Sequence, residues 1–324
     1  DVADALEALH GDDSEEIAPQ LAWHFERAGN IDRAIQQLQR AAASSVLLTG
    51  HEEAIRHLRR ALDLLASQPE SPDRERTELQ LQLGLMPSLY STRGWSSGET
   101  GTCAERALEL ADRLQDEELL LPALLHGSLF YTARADYRRG LELGSGMLEL
   151  AHSRKDAVNE AFAHLMVGLA SYFAGDLASG REHMRRVLEL YDPDQLPEAR
   201  HLYGGVDPAV VARTHLCWIL AFQGYPESSR RVIDEAEELA ERLDHPMSRG
   251  FVSMMALTSS LVQGDLDQAE RHADILRTIA TRHANPVYGA KAEIGRAYAA
   301  LLRGRPATAD PGIHHHIAVL DRAM

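Results

Sequence analysis

Between residues 156 and 191, apolar side chains recur at spacings of three and four. Phe162, Leu165, Leu169 and Tyr172 make one stripe, and Leu177, Gly180, Met184, Val187 and Tyr191 make a second. Each stripe is the pattern of an α-helix with one face turned to a core. Gly175-Asp176 stands between them. Glycine there ends one helix in the left-handed conformation, and aspartate caps the next by accepting a hydrogen bond from its free N–H groups. The spacing predicts two antiparallel helices joined by a tight turn.

The same hairpin recurs along the chain. Turns fall at Ala135-Asp136, Gly175-Asp176, Gly224-Tyr225, Gly264-Asp265 and Gly304-Arg305, spaced 40, 49, 40 and 40 residues. A fixed period of this size predicts an all-α solenoid. Five residues after each turn stands a small residue (Gly140, Gly180, Ser229, Ala269, Ala309), as Ala34 does after Gly29. Seven before it, Ala22, Ser128, Gly168, Cys217 and Ala297 are also small, with Leu257 the exception. Small residues facing one another let paired helices approach closely, while Met147, Val187 and Leu276, twelve after the turn, fill the space to the next hairpin.

In chain order, helices are predicted at 14–28, 32–48, 51–67, 73–91 and 99–114, followed by pairs at 117–153, 156–191, 208–243, 246–284 and 286–323. The first turns lie only 21 residues apart, so the helix at 32–48 is expected to partner both neighbours. Gln68-Pro69-Glu70-Ser71-Pro72 reads as a joint. The expected division is therefore 1–67, N-terminal hairpins after a linker from an upstream domain, and 68–324, a repeat superhelix. Its one interruption is the insertion at 191–208, YDPDQLPEARHLYGGVDP, which produces the 49-residue spacing.

Several segments carry a family resemblance. The small-residue positions and turns resemble tetratricopeptide repeats, with a period of 40 in place of the usual value of about 34. LAWHFERAGNIDRAIQQLQRAA, the loop LYGGVDP and ELAERLDHP are similar to the C-terminal repeat region of large bacterial signal-transduction ATPases. That class resembles MalT-like LuxR transcriptional regulators and the class III adenylate cyclases that carry an ATPase module. The resemblance implies a right-handed α-solenoid of tetratricopeptide-like hairpins. It also implies that DVADALEALHGD is the end of a linker following an ATPase module, with the effector and nucleotide domains outside this chain.

Charge narrows the function classes. The formal net charge of −16 argues against direct nucleic-acid binding, which needs a surplus of Lys and Arg. Two cysteines, Cys103 and Cys217, make neither a disulfide framework nor a zinc spacing, and with no secretory signal or apolar span they point to the cytoplasm and away from a membrane.

Chemical motifs are sparse. There is no GxxxxGK[ST] loop, and Gly144-Ser145-Gly146 lies within a helical stretch, so no nucleotide or other cofactor is expected. His51 and His57 are six apart and cannot share a helix face as the histidines of HExxH do. His314-His315-His316 point about 100° apart and cannot converge on one ion from one helix, so no metal is expected either. The carboxylates, such as Asp234, Glu235, Glu237, Glu238 and Glu241, form solvated faces, and no catalytic residues are assigned.

What remains is a surface. In such a fold the first helices of successive hairpins line the concave side, where partners bind. Tyr172, Phe173, Trp218, Phe222, Phe251 and Tyr298 fall on those helices and either fill the core between repeats or define a groove for a protein or small-molecule effector, with Trp218 and Phe222 at the groove's centre. The expected function is a non-catalytic sensor or protein-interaction domain of a signalling ATPase or transcriptional regulator. A passive scaffold that assembles as a homo-oligomer is a second reading, and an all-α enzyme with a carboxylate pair in the groove is a third.

Overall fold

The computed structural model describes residues 2–10, 17–48, 50–192, 206–283, 285–304 and 317–319. Fifteen helices run through these residues, and no strand occurs among them. The chain divides into two compact units, Asp1–Gly127 and Ser128–Met324.

The first unit contains α1 (Val2–His10), α2 (Ala18–Arg27), α3 (Ile31–Leu47), α4 (His51–Ala66), α5 (Pro72–Arg93), α6 (Gly98–Leu114) and the start of α7 (Glu117–Ala133). Each helix from α2 to α6 packs on the one before it, and α3 lies between α2 and α4 as its 21-residue turn spacing predicts. Gly29 turns with φ of 77°, and Asn30 caps α3 by accepting from the Arg33 amide. The helices meet through Leu79, Ala107, Leu110, Ala111 and Ala123, all fully buried. Across the Pro69–Pro72 connection, Gly84 of α5 lies against the Leu58 side chain of α4.

The second unit repeats the hairpin. After the end of α7 come α8 (Tyr137–Arg154), α9 (Ala157–Phe173), α10 (Leu177–Leu190), α11 (Pro208–Phe222), α12 (Pro226–Arg242), α13 (Pro246–Gln263), α14 (Leu266–Arg282) and α15 (Pro286–Leu302). Asp136, Asp176 and Asp265 each accept from the backbone amide three residues on, so the aspartate after the turn caps the second helix as expected. Tyr225, at the same place, makes no such cap, and Pro226 opens its helix instead.

Packing follows the repeat register. Gly140, Gly180, Ser229 and Ala269 are buried, and so are Met147, Val187 and Leu276. A Cβ on Gly168 would sit 3.0 Å from Met184 Cε and 3.1 Å from His183 Cβ, so a hydrogen there lets α10 close on α9. The odd position, Leu257, is buried against Gly295 of the next hairpin. Helices α9 and α11 are apolar on nearly every side and correspondingly enclosed, as a helix without a solvated face must be.

The expected insertion falls mainly on residues 193–205, and the second helix of the last hairpin with His314-His315-His316 and Ala309 falls on 305–316 and 320–324. These lie outside the described residues. No described helix is long and apolar enough to cross a membrane.

Candidate functional site

The first helices of the hairpins in the second unit, α9, α11, α13 and α15, lie side by side. That arrangement brings most of the expected aromatic residues together. Tyr172 touches Phe173 at 4.9 Å between ring centroids and Trp218 at 6.4 Å. The cluster continues through His215, whose ring lies 5.8 Å from Tyr172, 6.1 Å from Phe173 and 6.2 Å from Phe251. Tyr137, at the start of α8, stacks on Phe173.

The six residues play different parts. Tyr172 takes the core-filling role, interior at 9% exposed because α10 and α11 close over it, and burial pushes its hydroxyl up to about 12. Trp218 is half-buried and donates its indole N–H to the Met255 carbonyl at 3.1 Å, tying α11 to α13. Phe251 is half-buried against His215. Phe173, Phe222 and Tyr298 stand 48%, 56% and 51% exposed. Phe222 and Tyr298 have no aromatic partner among the described residues, so they extend the surface without joining the cluster.

His215 is the polar centre that the aromatic count missed. Its Nδ1–H donates to the Val211 carbonyl at 2.8 Å, which leaves Nε2 as an acceptor. Burial holds its pKa at about 4, so the ring is neutral near pH 7. It stands three residues before Trp218 on the stripe that Trp218 and Phe222 share, and that spacing was its signal in the sequence.

The other chemical candidates are engaged structurally. Among the described residues, no group of three or more His, Cys, Asp or Glu is arranged to hold a metal. His51 contacts Ser88 and Glu52 pairs with Arg93. Cys217 sits between Ser229 and Ser259, and Cys103 is buried with its thiol pushed up to about 12, so neither is a reactive thiolate. A small cleft among α12, α13 and α14 is lined by Asp234 and Asp265. Asp265 caps α14 and lies 3.7 Å from Arg230, an arrangement that builds the turn.

No family model matches the chain. A protein of Rhizobium meliloti (strain 1021), described as uncharacterized, is 27% identical over 272 residues, covering 81% of this chain and 26% of that protein. The chain thus spans about a quarter of the length of that relative. Among solved structures, the apo form of RapI matches with a TM-score of 0.61 and 13% identity, over 89% of this chain and 98% of RapI. NprR in complex with its cognate peptide NprX matches with a TM-score of 0.61 and 13% identity, over 92% of this chain and 84% of NprR. At that identity the likeness is one of fold, a tetratricopeptide-like α-solenoid.

Proposed function

We propose that this chain is a non-catalytic regulatory repeat domain that binds a peptide or protein on the first-helix face of its second unit. The observation that carries the reading is the aromatic surface itself: buried Tyr172 and His215 with half-buried Trp218 and Phe251, beside which Phe173, Phe222 and Tyr298 remain about half exposed. A rigid apolar platform with exposed aromatic anchors is what a protein hot spot uses, because large rings desolvate much area at small entropic cost. The NprR structure, of the same fold, holds a peptide.

In a stack of hairpins, a partner that touches several first helices at once favours one set of stacking angles over others. It therefore shifts the conformational population by its differential affinity for them. In a longer cytoplasmic protein, that bias is available to an attached ATPase or transcriptional effector, as the family resemblance implies.

The test is selection from a random peptide library on the full 324-residue chain. Selected peptides should lose about tenfold or more in affinity to Phe222→Ala combined with Tyr298→Ala, with the far-UV spectrum and melting temperature retained. Peptides that bind equally well to the double variant would place the site elsewhere.

A further inference from the structure

Lys291 stands where the other hairpins place an apolar residue. It lies thirteen residues before the turn glycine Gly304, and the same place holds Phe162, Val211 and Phe251 in the three preceding first helices. With Ile294, Tyr298 and Leu302 it falls on one stripe of α15, at spacings of three and four. At the corresponding places α9, α11 and α13 carry only apolar residues and threonine, so its ammonium is the one charge on that stripe in all four helices. The stripe faces outward on α13 and α15: Phe251, Met254, Lys291 and Ile294 are half-buried, and Val262 and Tyr298 are exposed.

Nothing in the chain neutralises this ammonium. Lys291 makes no hydrogen bond or ion pair among the described residues. Glu293, two residues on, points about 200° around the helix. The carboxylates that α14 brings to α15, Asp267, Glu270 and Asp274, pair with Arg303 and Arg296. Helix α13 contributes only Arg249, on the side of that helix away from Phe251. Burial lowers the Lys291 pKa, and no neighbouring carboxylate raises it back. A half-buried ammonium without a counter-ion is a cost to the free protein that a carboxylate from a ligand offsets.

The surroundings select the form of that carboxylate. The net charge of −16 opposes acidic ligands at long range, which favours a single carboxylate over an acidic tract. Helices α13 and α15 pack together, so Phe251 and Met254 stand about 8–10 Å across from the Lys291 stripe, with Ile294 beside it on α15. Those side chains offer a peptide backbone no donor or acceptor. A side-chain carboxylate reaches the ammonium on its own methylenes and leaves the backbone in water, whereas a terminal carboxylate would bring the last amide down onto apolar side chains.

We propose that Lys291 anchors one Asp or Glu side chain of a bound peptide, whose large apolar neighbours rest on Phe251 and Tyr298. This rests on the reading of the first-helix face as a peptide surface and names what the peptide must supply.

The test selects peptides from a random library on the full chain and titrates a selected peptide against the parent, Lys291→Met and Lys291→Arg. Methionine is apolar, like the residues at this place in the other helices, so Lys291→Met keeps the fold, which its melting temperature checks. Selected peptides should share one Asp or Glu between apolar residues. Replacing it by Asn or Gln should weaken binding to the parent about tenfold, and Lys291→Met should weaken the unchanged peptide as much. The two changes together should cost no more than either alone, as a direct pair requires. Lys291→Arg should recover most of the affinity, and amidating the peptide's C-terminus should change nothing. Selected peptides with no shared carboxylate, or a replacement that costs the same on Lys291→Met as on the parent, overturn the inference. So does a loss that follows amidation alone, which would put the chain terminus on Lys291. If such peptides still lose affinity to Phe222→Ala combined with Tyr298→Ala, the peptide-binding reading stands and only the anchor falls. A library that yields no binder removes both.

Discussion

His164 and His183 face each other across the α9–α10 hairpin with their Nδ1 atoms 2.8 Å apart. One ring donates and the other accepts, so a doubly protonated pair loses the bond and gains a repulsion. Burial, then the neighbouring His183 and Arg186, holds His164 at about 4, and burial lowers His183. Glu160 of α9 approaches His164 at 3.9 Å, but it also faces Arg186 of α10 at 3.7 Å and His152 of α8 at 3.9 Å.

The first prediction is a loss of stability in mild acid. Unfolded histidine takes up its proton near pH 6.5, while folded His164 resists until about 4. Below 6.5 the unfolded state therefore binds more protons, so stability is complete above that pH and falls as the pH drops toward 4. His215 and His272, also buried and held at about 4, act in the same direction. Each contributes on the order of 2–3 kcal/mol across the window. Urea unfolding followed by circular dichroism should show this drop, and His164→Asn with His183→Asn should make it shallower by that pair's share, leaving the part due to His215 and His272. A double variant with an unchanged pH slope would sink the assignment.

Ala135 is the next case. It occupies the turn position where Gly175, Gly224 and Gly264 stand, and it adopts the same left-handed conformation, φ 62° against 89°, 82° and 75°. A Cβ costs about 1–2 kcal/mol there, of which the greater unfolded-state freedom of glycine takes back a part. Ala135→Gly should therefore stabilise by about 0.5–1 kcal/mol, and Gly175→Ala should destabilise by a similar amount although nothing lies within 4 Å of the added carbon. Equilibrium unfolding of both variants checks the pair. A destabilised Ala135→Gly protein contradicts the argument.

These turns show why so much of the fold is legible in the sequence. Left-handed glycine, capping aspartate and small residues at close approaches are local requirements, and each recurs at Gly175-Asp176-Gly180 and Gly264-Asp265-Ala269. Core filling was one of the two readings open for the aromatics, but that Tyr172 is the one to take it depends on α10 and α11 closing over the ring. His215 was hidden by its residue type: histidine on an apolar stripe reads as polar until Val211 takes its N–H. The division at 127/128 falls inside α7, where composition does not change. Of the site, the aromatic identities were visible in the repeat alignment. Which rings are floor and which are surface needed the neighbouring helices.

Asp207 offers a stability test at the base of the insertion. It is wholly buried, caps α11 by accepting from the Ala209 amide at 2.9 Å, and accepts from the Tyr191 hydroxyl at 3.0 Å. Tyr191→Phe removes one donor from a buried carboxylate and should cost about 1–3 kcal/mol, with Asp207→Ala costing more through the lost cap. Thermal melts decide this, and a Tyr191→Phe melt indistinguishable from that of the parent would show that the bond contributes nothing.

Trp218 and Phe222, one turn apart on α11, separate structure from binding. Trp218 gives its N–H to the Met255 carbonyl, so Trp218→Phe keeps most of the ring area but should cost about 1 kcal/mol. Phe222 is 56% exposed and has no such bond among the described residues. Phe222→Ala should change stability by no more than about 0.5 kcal/mol, yet weaken a library-selected peptide by about tenfold. Chemical unfolding and peptide titration on the same two variants read both quantities. A loss above about 2 kcal/mol for Phe222→Ala would make it a packing residue. Because exposure alone predicts a silent substitution, a large binding loss at constant stability is an outcome that only a surface used for recognition produces.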